Sequence, residues 1–202
     1  MKKVINFGSV FSGIGAPEQA LQKLGVKTNI VFACDNGEIE IKENSEEINK
    51  LIKGLSIDEA NKKVKELYAS TGKTNYMKIS YMANYKVNED DWFDDIRFLD
   101  GTKYTGKVDI LTGGSPCQSF SIIGKRAGLE DTRGTLFYEY ARLVKQCQPR
   151  VFIYENVPGM LTHDKGNTWK VIRSVFDSLG YKLYFSILNA VDYGIPQDRK
   201  RL

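Results

Sequence analysis

The residue best suited to covalent chemistry in this sequence is Cys117, in Ser-Pro-Cys-Gln-Ser-Phe-Ser directly after Pro116. Proline fixes its own backbone and biases Ser115 toward extended geometry, so the thiol rides on a stiff turn. A thiol is partly ionised near neutral pH and is a soft nucleophile. Read by itself, Cys117 is either that nucleophile or a small core residue, a common fate of a cysteine outside a disulfide. Carboxylates form the second group. Asp35 follows the candidate strand 28–34, Asp95 stands in Asp94-Asp95-Ile96, and Glu155 follows the apolar run 151–154. After Glu155, Pro158 and Gly159 reverse the chain. The only histidine, His163, lies in a loop. A thiol hydrolase built on Cys117 and His163 is disfavoured, because nothing else suggests an oxyanion site.

These groups need elements to hold them. Residues 4–11 read as a buried first strand, and Ser12, Gly13, Ile14 and Gly15 make a tight turn after it. Pro17 suits the first turn of a helix; Ala20, Leu21 and Leu24 give that helix an inner face, and Gly25 stops it. Strand, glycine turn and helix together bring backbone N–H groups up to a nucleotide-like ligand. The third glycine of the dinucleotide fingerprint is missing, since Glu18 stands there, so a plain strand–helix turn stays open on this stretch alone. A second strand over 28–34 delivers Asp35 about 20 residues beyond the turn, a spacing that suits ribose hydroxyls; a solvated loop acid is the other reading.

Val108, Ile110 and Leu111 read as a central strand stopped by Gly113 and Gly114. The loop beyond Cys117 is polar and basic through Gly124, Lys125, Arg126, Gly128 and Arg133. A helix over 135–146 presents Leu136, Phe137, Tyr140, Leu143 and Val144 on one face. A strand over 151–154, a helix carrying Trp169, Ile172, Val175, Phe176 and Leu179, a Gly180 cap and a strand over 181–188 complete the pattern. Alternation of strands and helices implies an α/β fold with a doubly wound, mostly parallel sheet and right-handed crossovers. Such open sheets carry ligands at the carboxyl ends of their strands, where Asp35, Cys117 and Glu155 all fall.

With 202 residues, one domain is expected. Residues 38–94 differ in character, being rich in Lys, Glu and Asn. Ser56 and Glu59 form a capping box for a helix to about Tyr68, with Ile57, Ala60, Val64 and Leu67 as its apolar stripe. The aromatic-plus-lysine run 75–86 reads as a packed excursion with a wet face, or as a nucleic-acid contact. Lys73, Lys78 and Lys86 would be the phosphate-binding cations in that case. The net charge of +4 hints weakly at an anionic partner. Three cysteines, with no CxxC pair, argue for a reducing compartment and against a zinc site or any metal. No signal peptide or membrane span is legible, so a cytoplasmic location is expected.

Four motifs in this order, FSGIGAPEQAL, GGSPCQSFSIIGKRAGLEDTRGTLF, YENVPGML and YGIPQDRKR, strongly resemble the cytosine-C5 DNA methyltransferases. The resemblance covers nearly the whole chain except residues 38–94. It implies a Rossmann-like S-adenosylmethionine-dependent methyltransferase domain, incomplete at its C-terminal end. Its implied substrate is a flipped-out cytosine in double-stranded DNA, methylated for restriction-modification or the protection of phage or host DNA. Cys117 would add to C6 of the cytosine, Glu155 would hold and protonate N3, and Arg199 and Arg201 would position the base. The cofactor would be lined by Phe11, Ser12, Gly13, Ile14 and Gly15, with Asp35 and Asn36 at the ribose and Asp95 and Ile96 at the adenine. Pro116 and Leu136 would complete the pocket. Gln118, Ser119, Ser121, Lys125, Arg126 and Arg133 would face DNA. Ser9 departs from the family by standing where an acid is frequent, and the excursion exceeds the family's minimal form.

The chemistry fits those roles. C5 of cytosine is too poor a nucleophile to take a methyl group from a sulfonium, and addition of a thiolate at C6 turns the ring into an enamine. The target lies inside a stacked duplex and must be flipped out. The resemblance also implies a target-recognition region and a closing motif beyond the residues present. A fragment, an inactive remnant, or one chain of a split enzyme is therefore expected, without sequence-specific turnover of its own. A related enzyme acting on RNA is the neighbouring alternative.

Overall fold

The computed structural model of the chain describes residues 4–116 and 136–202. They fall into two units, residues 4–113 with 146–153, and residues 114–116 with 136–145 and 154–202. A five-stranded sheet organises the first. Its centre is β1 (Ile5–Val10), flanked by β2 (Thr28–Cys34) and β4 (Ile110–Gly113), both parallel to it. Parallel to β2 runs β3 (Trp92–Phe93), and β5 (Val151–Tyr154) forms the far edge, giving the order β3-β2-β1-β4-β5. This is the doubly wound order expected from the alternating pattern. Parallel strands are covered on both faces and so are apolar: Phe7, Val10, Phe32, Ala33 and Leu111 are at most 1% exposed.

Helix α1 (Ala16–Lys23) leaves the glycine turn with proline in its first turn. The excursion holds three helices, α2 (Ser45–Ile52), α3 (Ile57–Ser70) and α4 (Tyr76–Asn84). Capping boxes open both α2 (Asn44 with Glu47) and α3 (Ser56 with Glu59). Ile48 and Val64 join Ile39, Tyr68 and Phe98 in one apolar cluster. Tyr81 of α4 packs with Trp92 against Ala33 of β2. The boundary expected at residue 94 is therefore too late: Trp92 and Phe93 belong to the sheet, and Trp92 is fully buried. The run 75–86 takes the packed form, with Tyr81 fully buried and Lys78 paired to Glu89 at 2.8 Å.

In the second unit, Phe137 and Tyr140 of α5 (Leu136–Cys147) meet Tyr154 and Phe176 of α6 (Asn167–Ser178). Phe137 and Phe176 lie edge to face with centroids 5.5 Å apart, and Tyr140 lies 5.1 Å from Tyr154. A two-residue antiparallel ladder joins β6 (Leu188–Asn189) to β7 (Lys200–Arg201). The strand expected over 181–188 does not form; of it, only Leu188 enters a ladder. Alternating apolar residues make a strand only against a neighbour, and here Tyr184 is 81% exposed.

Candidate functional sites

Two clusters follow from this architecture, one in each unit. At the carboxyl end of β1 the chain turns through Phe11 at φ 53° and Gly13 at φ 52°. The first is a left-handed conformation that costs a side-chain-bearing residue about 1–2 kcal/mol. Ser12 holds the turn against β2: its hydroxyl donates to the Cys34 carbonyl and accepts from the Cys34 N–H, both at 3.2 Å. Ser12 is thus a buried strap between the turn and β2. Ile14 at the tip is 59% exposed. Asp35, half-buried, accepts the Gly13 N–H at Oδ2 and the Gly37 N–H at Oδ1, each at 2.8 Å. One bond per oxygen leaves a carboxylate with acceptor capacity to spare, directed from a loop fixed on both sides. Asn36 turns its own loop, accepting from the Glu38 N–H at 3.1 Å and donating to the Ile39 carbonyl at 3.2 Å.

Asp95 and Ile96 are buried, at 5% and 4% exposure. The Asp95 carboxylate accepts from the Arg97 backbone N–H, from two nitrogens of the Arg97 guanidinium, and from the Tyr68 hydroxyl at 2.9 Å. Any further donor must share an oxygen with them. Its neighbour Asp94 takes the Trp92 indole N–H at 3.0 Å, and burial pushes its carboxyl above the usual range.

The second cluster surrounds Glu155, which stands at the end of β5. Arg201 Nε meets Glu155 Oε1 at 2.5 Å. Gly114 lies beneath the other oxygen: a Cβ there would come within 2.5 Å of Glu155 Oε2. Residue 114 is therefore glycine because the carboxylate passes over it, a reason beyond stopping a strand. Next to it, buried Asn156 donates to the Ser115 carbonyl at 3.0 Å and to the Tyr154 hydroxyl at 3.2 Å. Its backbone exchanges two hydrogen bonds with Leu202, at 2.9 and 2.8 Å. Asn156 thereby ties together the loop carrying Ser115 and Pro116, the Glu155 turn and the Arg201 strand. Sequence reasoning assigned it no role, although its place directly after Glu155 was the available signal.

Arg199 is not brought to Glu155. Its N–H donates to Asn189 Oδ1 at 3.0 Å while its side chain is exposed. In the same unit Pro116 is exposed and Leu136 half-buried. Cys117, Gln118, Ser119, Ser121, Lys125, Arg126 and Arg133 lie outside the described residues. His163 Nδ1 lies 2.6 Å from the Thr168 hydroxyl, at the start of α6. Among the described residues no group of three or more His, Cys, Asp or Glu could hold a metal ion, and no helix is long and apolar enough to cross a membrane.

A doubly wound sheet with a glycine turn after its first strand, and acids at its strand ends, defines a Rossmann-like α/β protein. More narrowly, the family model for C-5 cytosine-specific DNA methylases matches residues 5–202, and the chain belongs to that family. Among curated relatives, orphan methyltransferase M.SPRI of Bacillus phage SPR is 38% identical over 194 residues, covering 96% of this chain and 36% of the relative. Type II methyltransferase M.Eco47II of Escherichia coli is 49% identical over 109 residues, covering 54% and 26%. The chain thus spans well under half the length of the curated relatives it matches. The crystal structure of the S. pombe Dnmt2 methyltransferase covers 98% of this chain and 48% of its own, with TM-score 0.54 and 20% identity, a likeness of fold.

Proposed function

We propose that this chain is the part of an S-adenosylmethionine-dependent DNA (cytosine-5)-methyltransferase that holds the cofactor and the reacting base. The observation that carries the reading is Glu155: a strand-end carboxylate, clamped by Arg201 and passing over Gly114, in a chain of the C-5 cytosine methylase family. The residues fit the cofactor. Asp35 keeps one acceptor direction per oxygen for a pair of ribose hydroxyls, and the turn at Phe11–Gly15 is rigid enough to present backbone to the methionine end. Bound there, S-adenosylmethionine supplies the methyl group as an electrophilic sulfonium.

The chain's own residues do the remaining work. The Cys117 thiolate forms a bond to C6 of the extruded cytosine, the C5–C6 pair becomes the C4–C5 double bond of an enamine, and the C4–N3 π pair moves onto N3. Glu155 gives a proton to N3, which quenches the charge this addition creates. With Oε1 engaged by Arg201, that proton belongs on Oε2, which glycine at 114 leaves uncovered. Once C5 has taken the methyl group, its proton leaves to a base. The C5–H electron pair becomes the C5–C6 double bond, the C6–sulfur bond breaks with its pair returning to sulfur as the thiolate, and N3 gives its proton back to Glu155.

The test is a covalent trap. Duplex DNA carrying 5-fluorocytosine cannot release fluorine from C5 as a proton, so the enzyme should stay attached. The chain with S-adenosylmethionine should give an adduct of altered mobility on denaturing gels, and Cys117→Ala should give none. An adduct that persists in Cys117→Ala would sink the mechanism. A second reading, in which another polypeptide completes the enzyme, is favoured by the exposure of Tyr184, Phe185 and Tyr193 at 81%, 56% and 67%. It predicts an adduct only when that polypeptide is added.

A further inference from the structure

The excursion meets three of the candidate cofactor loops, the glycine turn, the Asp35 loop and the Asp95 loop, through hydrogen bonds from its own side chains. Tyr85, just past α4, donates to the Gly15 carbonyl at 2.8 Å in the glycine turn. Asn75, at the start of α4, donates to the Asp35 carbonyl at 2.9 Å. Tyr68 of α3 donates to Asp95 at 2.9 Å. A fourth contact lies one turn into α1, where the Tyr81 hydroxyl donates to Glu18 Oε1 at 2.6 Å. Glu18 is 3% exposed and its Oε2 has no partner among the described residues.

Two glycines in these loops carry the imprint of the same contacts. A Cβ on Gly15 would lie 2.2 Å from the Tyr85 ring, and one on Gly37 would lie 2.3 Å from Asn75 Oδ1. Backbone and side chain have thus been brought closer than any other residue type permits. Asn75 serves twice, since its Oδ1 also accepts the Lys78 N–H at 2.9 Å and caps α4. The excursion's helices are therefore registered to the loops at three separate points, each with its own donor.

We infer that Tyr68, Asn75 and Tyr85 are positioning residues for S-adenosylmethionine. The excursion is a brace that sets the glycine turn, the Asp35 loop and the Asp95 loop at their mutual spacing before the cofactor arrives. This rests on the cofactor reading above and adds to it the source of the site's rigidity. A preorganised site binds more tightly because less ordering remains to be done on binding. Each bond removed should therefore raise the dissociation constant about 2- to 10-fold, the share of a single net hydrogen bond.

The experiment is calorimetric titration of the whole chain with S-adenosylhomocysteine, alongside a thermal melt of each variant. Tyr68→Phe and Tyr85→Phe keep the rings and lose one hydroxyl each. Asn75→Ser keeps a cap acceptor but cannot reach the Asp35 carbonyl. All three should bind more weakly by the stated factor at temperatures where each is fully folded. Lys62→Ala, on the exposed side of α3, should bind like the unaltered chain. If the three variants melt earlier yet bind with unchanged affinity, the residues are architectural only and the inference is overturned. If the unaltered chain itself fails to bind, the cofactor reading falls, and the inference with it.

Discussion

The contact between Gly15 and Tyr85 yields a prediction whose size can be worked from the structure. Gly15 has φ +88°, and a Cβ there would lie 2.2, 2.9 and 3.0 Å from three atoms of the Tyr85 ring. Gly15→Ala therefore carries two separable costs. A side-chain-bearing residue in the left-handed region loses about 1–2 kcal/mol whatever surrounds it. The ring must also move. That breaks its hydroxyl bond to the Gly15 carbonyl, about 1 kcal/mol, and disturbs its pairing with Tyr81 at 5.0 Å, about 0.5–1.5 kcal/mol. The whole substitution should destabilise the chain by about 2.5–4.5 kcal/mol. In a Tyr85→Ala background only the backbone part survives, so Gly15→Ala should then cost about 1–2 kcal/mol. Urea unfolding of the four proteins of this cycle gives each free energy, provided the slopes agree. The coupling should be about 1.5–2.5 kcal/mol. Equal costs for Gly15→Ala in both backgrounds would show that the ring imposes nothing on residue 15, and the brace would lose its strongest geometric support.

Two further outcomes follow from the charged groups. Burial holds the Glu18 carboxyl above its ordinary range, against the opposing effect of the Tyr81 hydroxyl, so the folded chain binds this proton more tightly than the unfolded one. Stability from this group is then present at acid pH and is lost as pH rises from the unfolded carboxylate range toward the folded value. Glu18→Gln cannot ionise, so its melting temperature should gain on the unaltered chain between acid and neutral pH; Asp94, with a shift of the same sign, is common to both proteins and cancels. A difference that does not vary with pH would contradict this. Arg201→Ala should change stability by no more than about 1 kcal/mol, because the side chains of the Arg201–Glu155 pair are 28% and 49% exposed and screened by water. The rate of adduct formation on 5-fluorocytosine DNA should nonetheless fall by about tenfold or more, as positioning of an acid is lost; an unaltered rate would remove Arg201 from the site.

Local and ordered features were legible in the sequence. Strand β2 was readable to its bounds from a run of apolar residues, and the acid after it from spacing alone. The capping box at Ser56 and Glu59 announced α3 because both partners lie within four residues of each other. Motif order identified the family, since Pro-Cys, Glu-Asn-Val and Gln-Asp-Arg-Lys-Arg succeed one another along the chain whatever the fold does.

Tertiary structure decided what depends on approach between distant residues. That Asn156 bonds Ser115, and that Tyr85 lies on Gly15, are facts about pairs 41 and 70 positions apart; no periodicity encodes them. The apolar alternation at 181–188 is a real pattern that makes no strand, because a ladder needs a second edge. That Arg97 and Tyr68 both bond to the Asp95 carboxylate is likewise visible only in the fold. The excursion is the clearest case. Its sequence suggested a packed helical excursion with a wet face, and its helices did form where their caps lie. That three of its polar side chains turn inward to the candidate cofactor loops follows only from how α4 docks against β2 through Tyr81 and Trp92, and how α3 docks against Ile39 and Phe98 through Val64 and Tyr68.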